Sequence, residues 1–247
     1  MRTQYFAPAW PRILAHRGLT QGGLDENTKE ALESALAHGA EYLEIDVRAS
    51  NDGVAFVLHD ADLRRMANLE RKVSELAAAE LDVLRLSGGG SPLRLAKAFE
   101  YFPTAKFNID VKSADAIEPV RACILEAGCE DRVLISSFSD RRRLKTSRGL
   151  AIANGAGWQT TLLARLSYRF RPALSFVLRN TDALQIPISF GPIRLDRARF
   201  IEAVSALGVE VHFWVINEVA QAKHLISLGA KGIVTDRADL ILHALAE

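Results

Sequence analysis

Residues 41–60 read EYLEIDVRASNDGVAFVLHD, two strand-like runs on either side of an Asp52-Gly53 turn. Only six residues separate Val47 from Val54. A parallel helical crossover needs a dozen or more, so the chain must double back here. Arg48 to Asn51 extend, the chain turns at Asp52-Gly53, and Val54 to Leu58 return, which brings His59 to the rim that carries Glu44 and Asp46. Charged residues at strand positions that a core would fill with Val or Ile place water or a cation at that end of the sheet.

Working outward, short apolar runs recur along the chain: ILAH from 13, YLEIDV from 42, AFVLH from 55, KFNIDV from 106, RVLISS from 132, LAIAN from 150, ALQIPI from 183, VEVHFWVI from 209 and GIVTD from 232. Amphipathic segments such as TKEALESALA (28–37) and RARFIEAVSAL (197–207) lie between most of them. Alternating strand and helix implies a parallel sheet. Eight or nine strands in 247 residues fit a closed α/β (β/α)8 (TIM) barrel, with a β-hairpin-like connection instead of a helix between strands 2 and 3. No Gly-x-Gly-x-x-Gly follows a strand, so an open dinucleotide-binding sheet has no support. Without internal repeats or a low-complexity linker, 1–247 is read as a single domain.

The chain is 49% hydrophobic and 25% charged with a formal net charge of +1, which gives no reason to expect nucleic acid. The N-terminal MRTQYFAPAWPRILAHRG has no apolar run of signal-peptide length, and no stretch reaches the roughly 18 apolar residues of a membrane span. A cytoplasmic location is expected. Cys123 and Cys129 lie in or beside one helical segment and are expected to be small buried hydrophobes. Nothing in the sequence sets an oligomeric state.

Residues two apart on a strand share a side, so Glu44 and Asp46 project together into the barrel mouth. A divalent cation removes their repulsion, and oxygen ligands suit Mg²⁺ or Ca²⁺ better than Zn²⁺. Asn108, Asp110 and Lys112 repeat the period on the next strand and supply a third carboxylate and a fixed positive charge. The first strand ends in His16-Arg17-Gly18, which sets His16 and His59 across the site as candidate general acid and base. Arg17 offers a planar fork for phosphate oxygens. Together these groups describe displacement at a phosphodiester. His38, His212, His224 and His243 show no comparable grouping and are read as structural.

These residues form an ordered pattern: His16-Arg17-Gly18, Glu26-Asn27-Thr28, Glu44-Ile45-Asp46-Val47, Asp52-Gly53, His59-Asp60, Asp110-Val111-Lys112, Ser137-Phe138, Trp214 to Asn217, and Thr235-Asp236. The pattern closely resembles the glycerophosphodiester phosphodiesterases over nearly the whole chain. The resemblance implies a TIM barrel that hydrolyses a glycerophosphodiester to sn-glycerol 3-phosphate and an alcohol with a divalent metal. It puts metal ligands at Glu44, Asp46 and Asp110, the histidine pair at His16 and His59, phosphate contacts at Arg17 and Lys112, and Trp214 in the pocket wall near the glycerol. Asp110 departs from the family's Glu, Met66-Ala67 stand where threonines are usual, and Val215 replaces a Thr. The segment from Asp60 to the Asp110 strand is short, which implies an open mouth and varied leaving groups.

Alternative readings are a related barrel phosphodiesterase acting on lysophospholipids (lysophospholipase D-like), a Schiff-base lyase using Lys112, and a non-catalytic metal-binding barrel. One further pattern lies outside the motifs. Between Asp140 and Asp182 there is no acidic residue, while Arg141, Arg142, Arg143, Lys145, Arg148, Arg165, Arg169, Arg171 and Arg179 are basic. Leu162, Leu166 and Phe170 are expected on one helical face, Arg165 and Arg169 on the next, and Pro172 as the stop. The ordinary reading is a barrel helix packing its apolar face on the sheet with solvated arginines. The alternative is a peripheral contact with an anionic membrane.

Overall fold

The computed structural model describes residues 4–8 and 11–246. Eight parallel strands form the wall: β1 (Arg12–His16), β2 (Tyr42–Ala49), β3 (Lys106–Val111), β4 (Val133–Ser136), β5 (Ala153–Asn154), β6 (Ala183–Ile186), β7 (Glu210–Phe213) and β8 (Gly232–Thr235). Neighbours pair in chain order, β8 returns to β1, and a single bridge between Gly155 and Ala183 completes the circle between β5 and β6. The nearly closed barrel anticipated from strand–helix alternation is present.

Period-two alternation sorts each strand between two cores. Ile13, Ala15, Leu43, Ile45 and Val47 pack outward against the helices, whereas Leu14 and Tyr42 turn inward. Burial on both faces is what makes these runs nearly continuously apolar. The inward set is polar at both ends. At the lower end, Arg12 makes a bidentate pair with Glu210 (2.9 and 3.0 Å) and donates to the Tyr42 hydroxyl at 2.8 Å. Glu210 lies 3.0 Å from His212 Nε2, and His212 Nδ1 lies 3.4 Å from the Gln185 amide. His212 is fully buried, and a Cβ at Gly232 would come within 2.6 Å of its ring, so only glycine leaves it room. Tyr5 and Phe6 close the bottom against Leu14, Tyr42, Leu134 and Val234.

The hairpin predicted between Val47 and Val54 exists, but its second strand is not a barrel stave. β2 runs past the C-terminal rim, and Ala55–Val57 descends antiparallel to it with Val47 opposite Val57 and Ala49 opposite Ala55. Gly53 sits at φ 79°, and the Ser50 hydroxyl bonds both Asp52 (2.6 Å) and the Val54 amide (2.9 Å), fixing the turn. The third stave is β3, reached through an accessory layer and the helix Leu95–Tyr101. That layer has its own small core of Phe56, Leu58, Leu63, Val73, Leu76, Ala78 and Leu81.

The 158–178 region departs from expectation. The helix Trp158–Ser167 ends before Phe170, and Pro172 opens a second helix, Arg171–Leu178, instead of stopping the first. Proline is well suited to a first turn, where its missing N–H has no partner to lose. Thr160 and Ala164 form the buried side of the first helix, while Leu162, Leu166 and Phe170 are exposed. The helix is anchored through Asp140, whose carboxylate accepts from Gly157 N (3.1 Å), Thr160 N (3.0 Å), Thr160 Oγ1 (2.6 Å) and Arg143 Nε (2.9 Å). Cys129 is buried and Cys123 partly so, both free, and burial pushes both thiols up. No helix among the described residues is long and apolar enough to cross a membrane.

Candidate active site

The loop after β1 is shaped by three residues in sequence. His16 ends the strand, Arg17 takes the left-handed conformation (φ 58°), and Gly18 follows at φ 89°. A Cβ on Gly18 would fall 2.6 Å from the Ala31 carbonyl carbon, so the loop can lie on the helix Lys29–Ala37 only as glycine. An arginine at positive φ costs of order 1–3 kcal/mol, which its partners must offset. Those partners are Glu26 (Nη1–Oε1, 3.0 Å) and Asp46 (Nε–Oδ2, 2.9 Å). The Glu26-Asn27-Thr28 run therefore divides its work. Glu26 holds Arg17, Asn27 donates to Asp46 Oδ2 at 3.0 Å, and Thr28 caps the helix through the Ala31 amide at 3.3 Å.

Each histidine of the predicted pair has its own carboxylate. His16 Nδ1 lies 2.7 Å from Asp236 Oδ1, and Asn217 fixes that carboxylate through its amide (2.8 Å) and through the Asp236 backbone N–H (2.9 Å). His59 Nδ1 lies 2.6 Å from Asp60 Oδ1. The Arg48 guanidinium crosses the hairpin to the His59 carbonyl at 2.7 Å, and the Leu58 amide bonds the Asp46 carbonyl at 2.9 Å. Carboxylates accept only, so both rings carry their proton on Nδ1 and leave Nε2 for the cavity. Burial opposes charge on His16, but Asp236 and Glu44 outweigh it and raise its pKa. Burial likewise works against the Asp60 carboxylate, yet the bonds from Arg65 and His59 bring it down to about 2.

Glu44, Asp46 and Asp110 line one cavity of about 720 Å³ with His16, His59, Arg17 and Lys112. Burial, then Asp46, pushes Glu44 up to about 8. Asp46 is equally buried but held down by Lys112 and Arg17. Lys112 Nζ lies 2.7 Å from Asp46 and 2.6 Å from Asp110, and the two carboxylates outweigh its burial and keep it charged. A bridging ammonium is the opposite of the free amine a Schiff-base lyase needs. Among the described residues no three His, Cys, Asp or Glu side chains are gathered as a finished ligand set. The donors nevertheless fit a hard cation. Glu44 Oε2 and Asp110 Oδ1 are buried oxygens without a hydrogen-bond partner, and Lys112 bridges the third carboxylate, Asp46, to the other oxygen of Asp110.

The cavity has a second, apolar half. Phe138, Trp158, Leu162, Phe190, Ile193 and Trp214 line it, so Trp214 stands in the wall as anticipated, with Val215 beside it. Met66 and Ala67 do not reach it. Several contributors were not singled out from sequence. Asp236 and Asn217 stand in the motif pattern with no role of their own in it, and Arg65 lies outside the pattern, although it joins Asp60 (2.6 Å) to Glu26 (2.6 Å). Arg142 and Arg165, read only as part of a basic segment, line the same cavity. Their spacing carries no signal, because the contacts form between helices and loops far apart in sequence.

A model described as the Glycerophosphoryl diester phosphodiesterase family matches residues 16–240. The chain is 35% identical over 233 residues to Probable glycerophosphodiester phosphodiesterase 2 of Mycobacterium tuberculosis, covering 92% of this chain and 88% of the relative. It is 27% identical over 275 residues to a human lysophospholipase D, covering 95% and 85%. A solved Oleispira antarctica phosphodiesterase, in complex with the product sn-glycerol-3-phosphate, matches at a TM-score of 0.79 over 96% of this chain and 98% of that one, with 22% identity. A glycerophosphodiester phosphodiesterase from Agrobacterium tumefaciens matches at 0.77 over 96% and 99%, with 24% identity. At these identities the structural matches speak to the fold alone.

Proposed function

The chain belongs to the glycerophosphoryl diester phosphodiesterase family, and we propose that its cavity hydrolyses a glycerophosphodiester to sn-glycerol 3-phosphate and an alcohol, with His16 and His59 as the proton carriers. The observation that carries this reading is the matched construction of the two imidazoles. Each has Nδ1 on its own carboxylate, and both line a cavity that also holds Arg17 and Lys112. One Nε2 takes the proton of the attacking hydroxyl, which is either water or the substrate's own glycerol hydroxyl. The other, entering the reaction as the imidazolium, gives its Nε2 proton to the departing alkoxide as the P–O bond breaks, and the proton taken up by the first ring returns to solvent before the next turnover. Arg17 and Lys112 bind the phosphoryl oxygens, and Trp214 contacts the glycerol. Glu44, Asp46 and Asp110 would hold Mg²⁺ or Ca²⁺, which when bound supplies charge neutralisation at the phosphoryl group.

The apolar half of the cavity favours a second substrate class, lysophospholipids, whose acyl chain would lie along Phe138, Trp158, Leu162 and Phe190. The test is a panel of glycerophosphocholine, glycerophosphoethanolamine and lysophosphatidylcholine, with coupled detection of glycerol 3-phosphate and of lysophosphatidic acid. It is run with chelator and after restoring Mg²⁺ or Ca²⁺. Turnover should vanish on chelation, and His16→Ala and His59→Ala should each lower kcat by about 10²-fold or more. Full activity in chelator removes the cation from the reading, and a near-wild-type kcat in either variant removes that histidine.

A further inference from the structure

The helices Trp158–Ser167 and Arg171–Leu178 carry an apolar surface that the fold does not use. Leu163 is 52% exposed, Leu166 72%, Phe170 65% and Phe176 67%, while the side turned to the protein is made by Thr160, Ala164, Leu174 and Leu178. A surface helix ordinarily places polar residues where these stand, and a patch of this kind marks an interaction site. The patch runs into the catalytic mouth. Leu162 lies one turn before Leu166 and lines the cavity with Trp158, as do the half-exposed Phe138, Phe190 and Trp214.

Charge identifies the occupant. Residues 141–181 contain nine basic and no acidic side chains. Several of those cations lie against aromatic rings at the patch: Arg165 and Arg169 are 5.1 and 5.6 Å from the Tyr168 centroid, and Arg179 is 4.0 Å from that of Phe176. Arg165 also lines the mouth, so its guanidinium stands where the patch meets the cavity. Apolar side chains interleaved with arginines suit an interfacial plane, where rings enter the acyl boundary and guanidinium groups meet headgroups. A second copy of the chain would set these cations against each other, and a protein partner would cover the opening through which substrate enters. A bilayer satisfies both the charge and the mouth.

We propose that this face docks the enzyme on an anionic lipid bilayer with the catalytic mouth turned toward the headgroups. Docking is independent of the chemistry proposed above, so the two stand or fall on different measurements. The full chain is sedimented with vesicles of equal parts phosphatidylglycerol and phosphatidylcholine, and with phosphatidylcholine alone. Binding to the anionic vesicles, weakened by salt, is expected. Arg169→Gln with Arg171→Gln should lower the partition coefficient about thirtyfold, on the usual contribution of about 1 kcal/mol per basic residue near a charged bilayer. Leu166→Glu with Phe170→Glu should abolish binding. Neither pair touches the cavity, so hydrolysis of soluble glycerophosphocholine should stay unchanged. Brominated acyl chains should quench the fluorescence of Trp158 and Trp214, a readout that needs no variant. Absence of binding to anionic vesicles at low salt overturns the proposal. So does binding without quenching, or a dimer in gel filtration that the Leu166/Phe170 variant dissociates while wild type ignores vesicles.

Discussion

Replacing Asp236 by Asn tests the histidine pair without changing the size of any group. In the wild type Asp236 Oδ2 accepts the Asn217 side-chain amide at 2.8 Å, and Oδ1 faces His16 Nδ1 at 2.7 Å. In the variant, keeping the Asn217 bond requires the new carbonyl oxygen to occupy the Oδ2 position. The new NH₂ is then aimed at His16 Nδ1, which has to accept. The ring proton moves to Nε2: as base, His16 can then no longer take a proton in the neutral ring, and as acid it loses the carboxylate that favours its charged form. One proton transfer is lost, so kcat should fall by about 10²- to 10⁴-fold. KM should change by much less, because Arg17 and Lys112 are untouched. Asp236 is half-exposed (46% for its side chain), so thermal stability should stay close to wild type. Stopped assays at saturating glycerophosphocholine, with a melting curve for each protein, provide the measurement. A kcat within a few-fold of wild type would show that His16 does not depend on its tautomer, and the reasoning would fail.

Two further outcomes follow from the barrel itself. Burial opposes charge on Glu210, but bonds from His212 and Arg12 bring it down to about 2. A depressed carboxyl pKa contributes stability that is present above the unfolded value of about 4.3 and lost as pH falls through the folded one. Urea midpoints should therefore drop between about pH 4 and 2, and Glu210→Gln should flatten that slope. Arg12→Met, which leaves Glu210 charged and buried, should cost about 3–5 kcal/mol at neutral pH, and a cost under 1 would refute the assignment. Gly18→Ala must either move the helix Lys29–Ala37 or abandon φ 89°. It should lose more than about 1 kcal/mol in urea titration and also raise KM by displacing Arg17.

The barrel was legible because burial on both faces of a parallel strand leaves unmistakable apolar runs, and the hairpin because six residues cannot form a crossover. The paired carboxylates were legible for a similar reason, since period two on a strand is a geometric rule. What escaped was every contact made across the barrel mouth. Asp236 reaches His16 from the last strand end, and Arg65 reaches Glu26 across 39 positions, distances at which local pattern says nothing. The 158–178 error has a different origin. An i, i+4, i+8 spacing of Leu162, Leu166 and Phe170 looks the same whether it faces a sheet or solvent, and the buried side is made instead by Thr160 and Ala164, residues too small to register as a stripe. His212 is structural, as its sequence setting suggested, but the glycine that makes room for its ring, Gly232, lies on another strand and leaves no local signal.

Because Tyr5 and Phe6 stop the lower end of the barrel, the described residues leave the cavity one door, at the C-terminal rim. Whatever enters must turn round to leave, and the two products share that exit in sequence. On the proposed reading the fragment nearer Phe138 and Phe190 would go first, while the phosphorylated fragment would stay behind it among Arg17 and Lys112. Such a vessel empties in the reverse order of its filling. Added glycerol 3-phosphate should therefore compete with substrate, whereas the released alcohol should not.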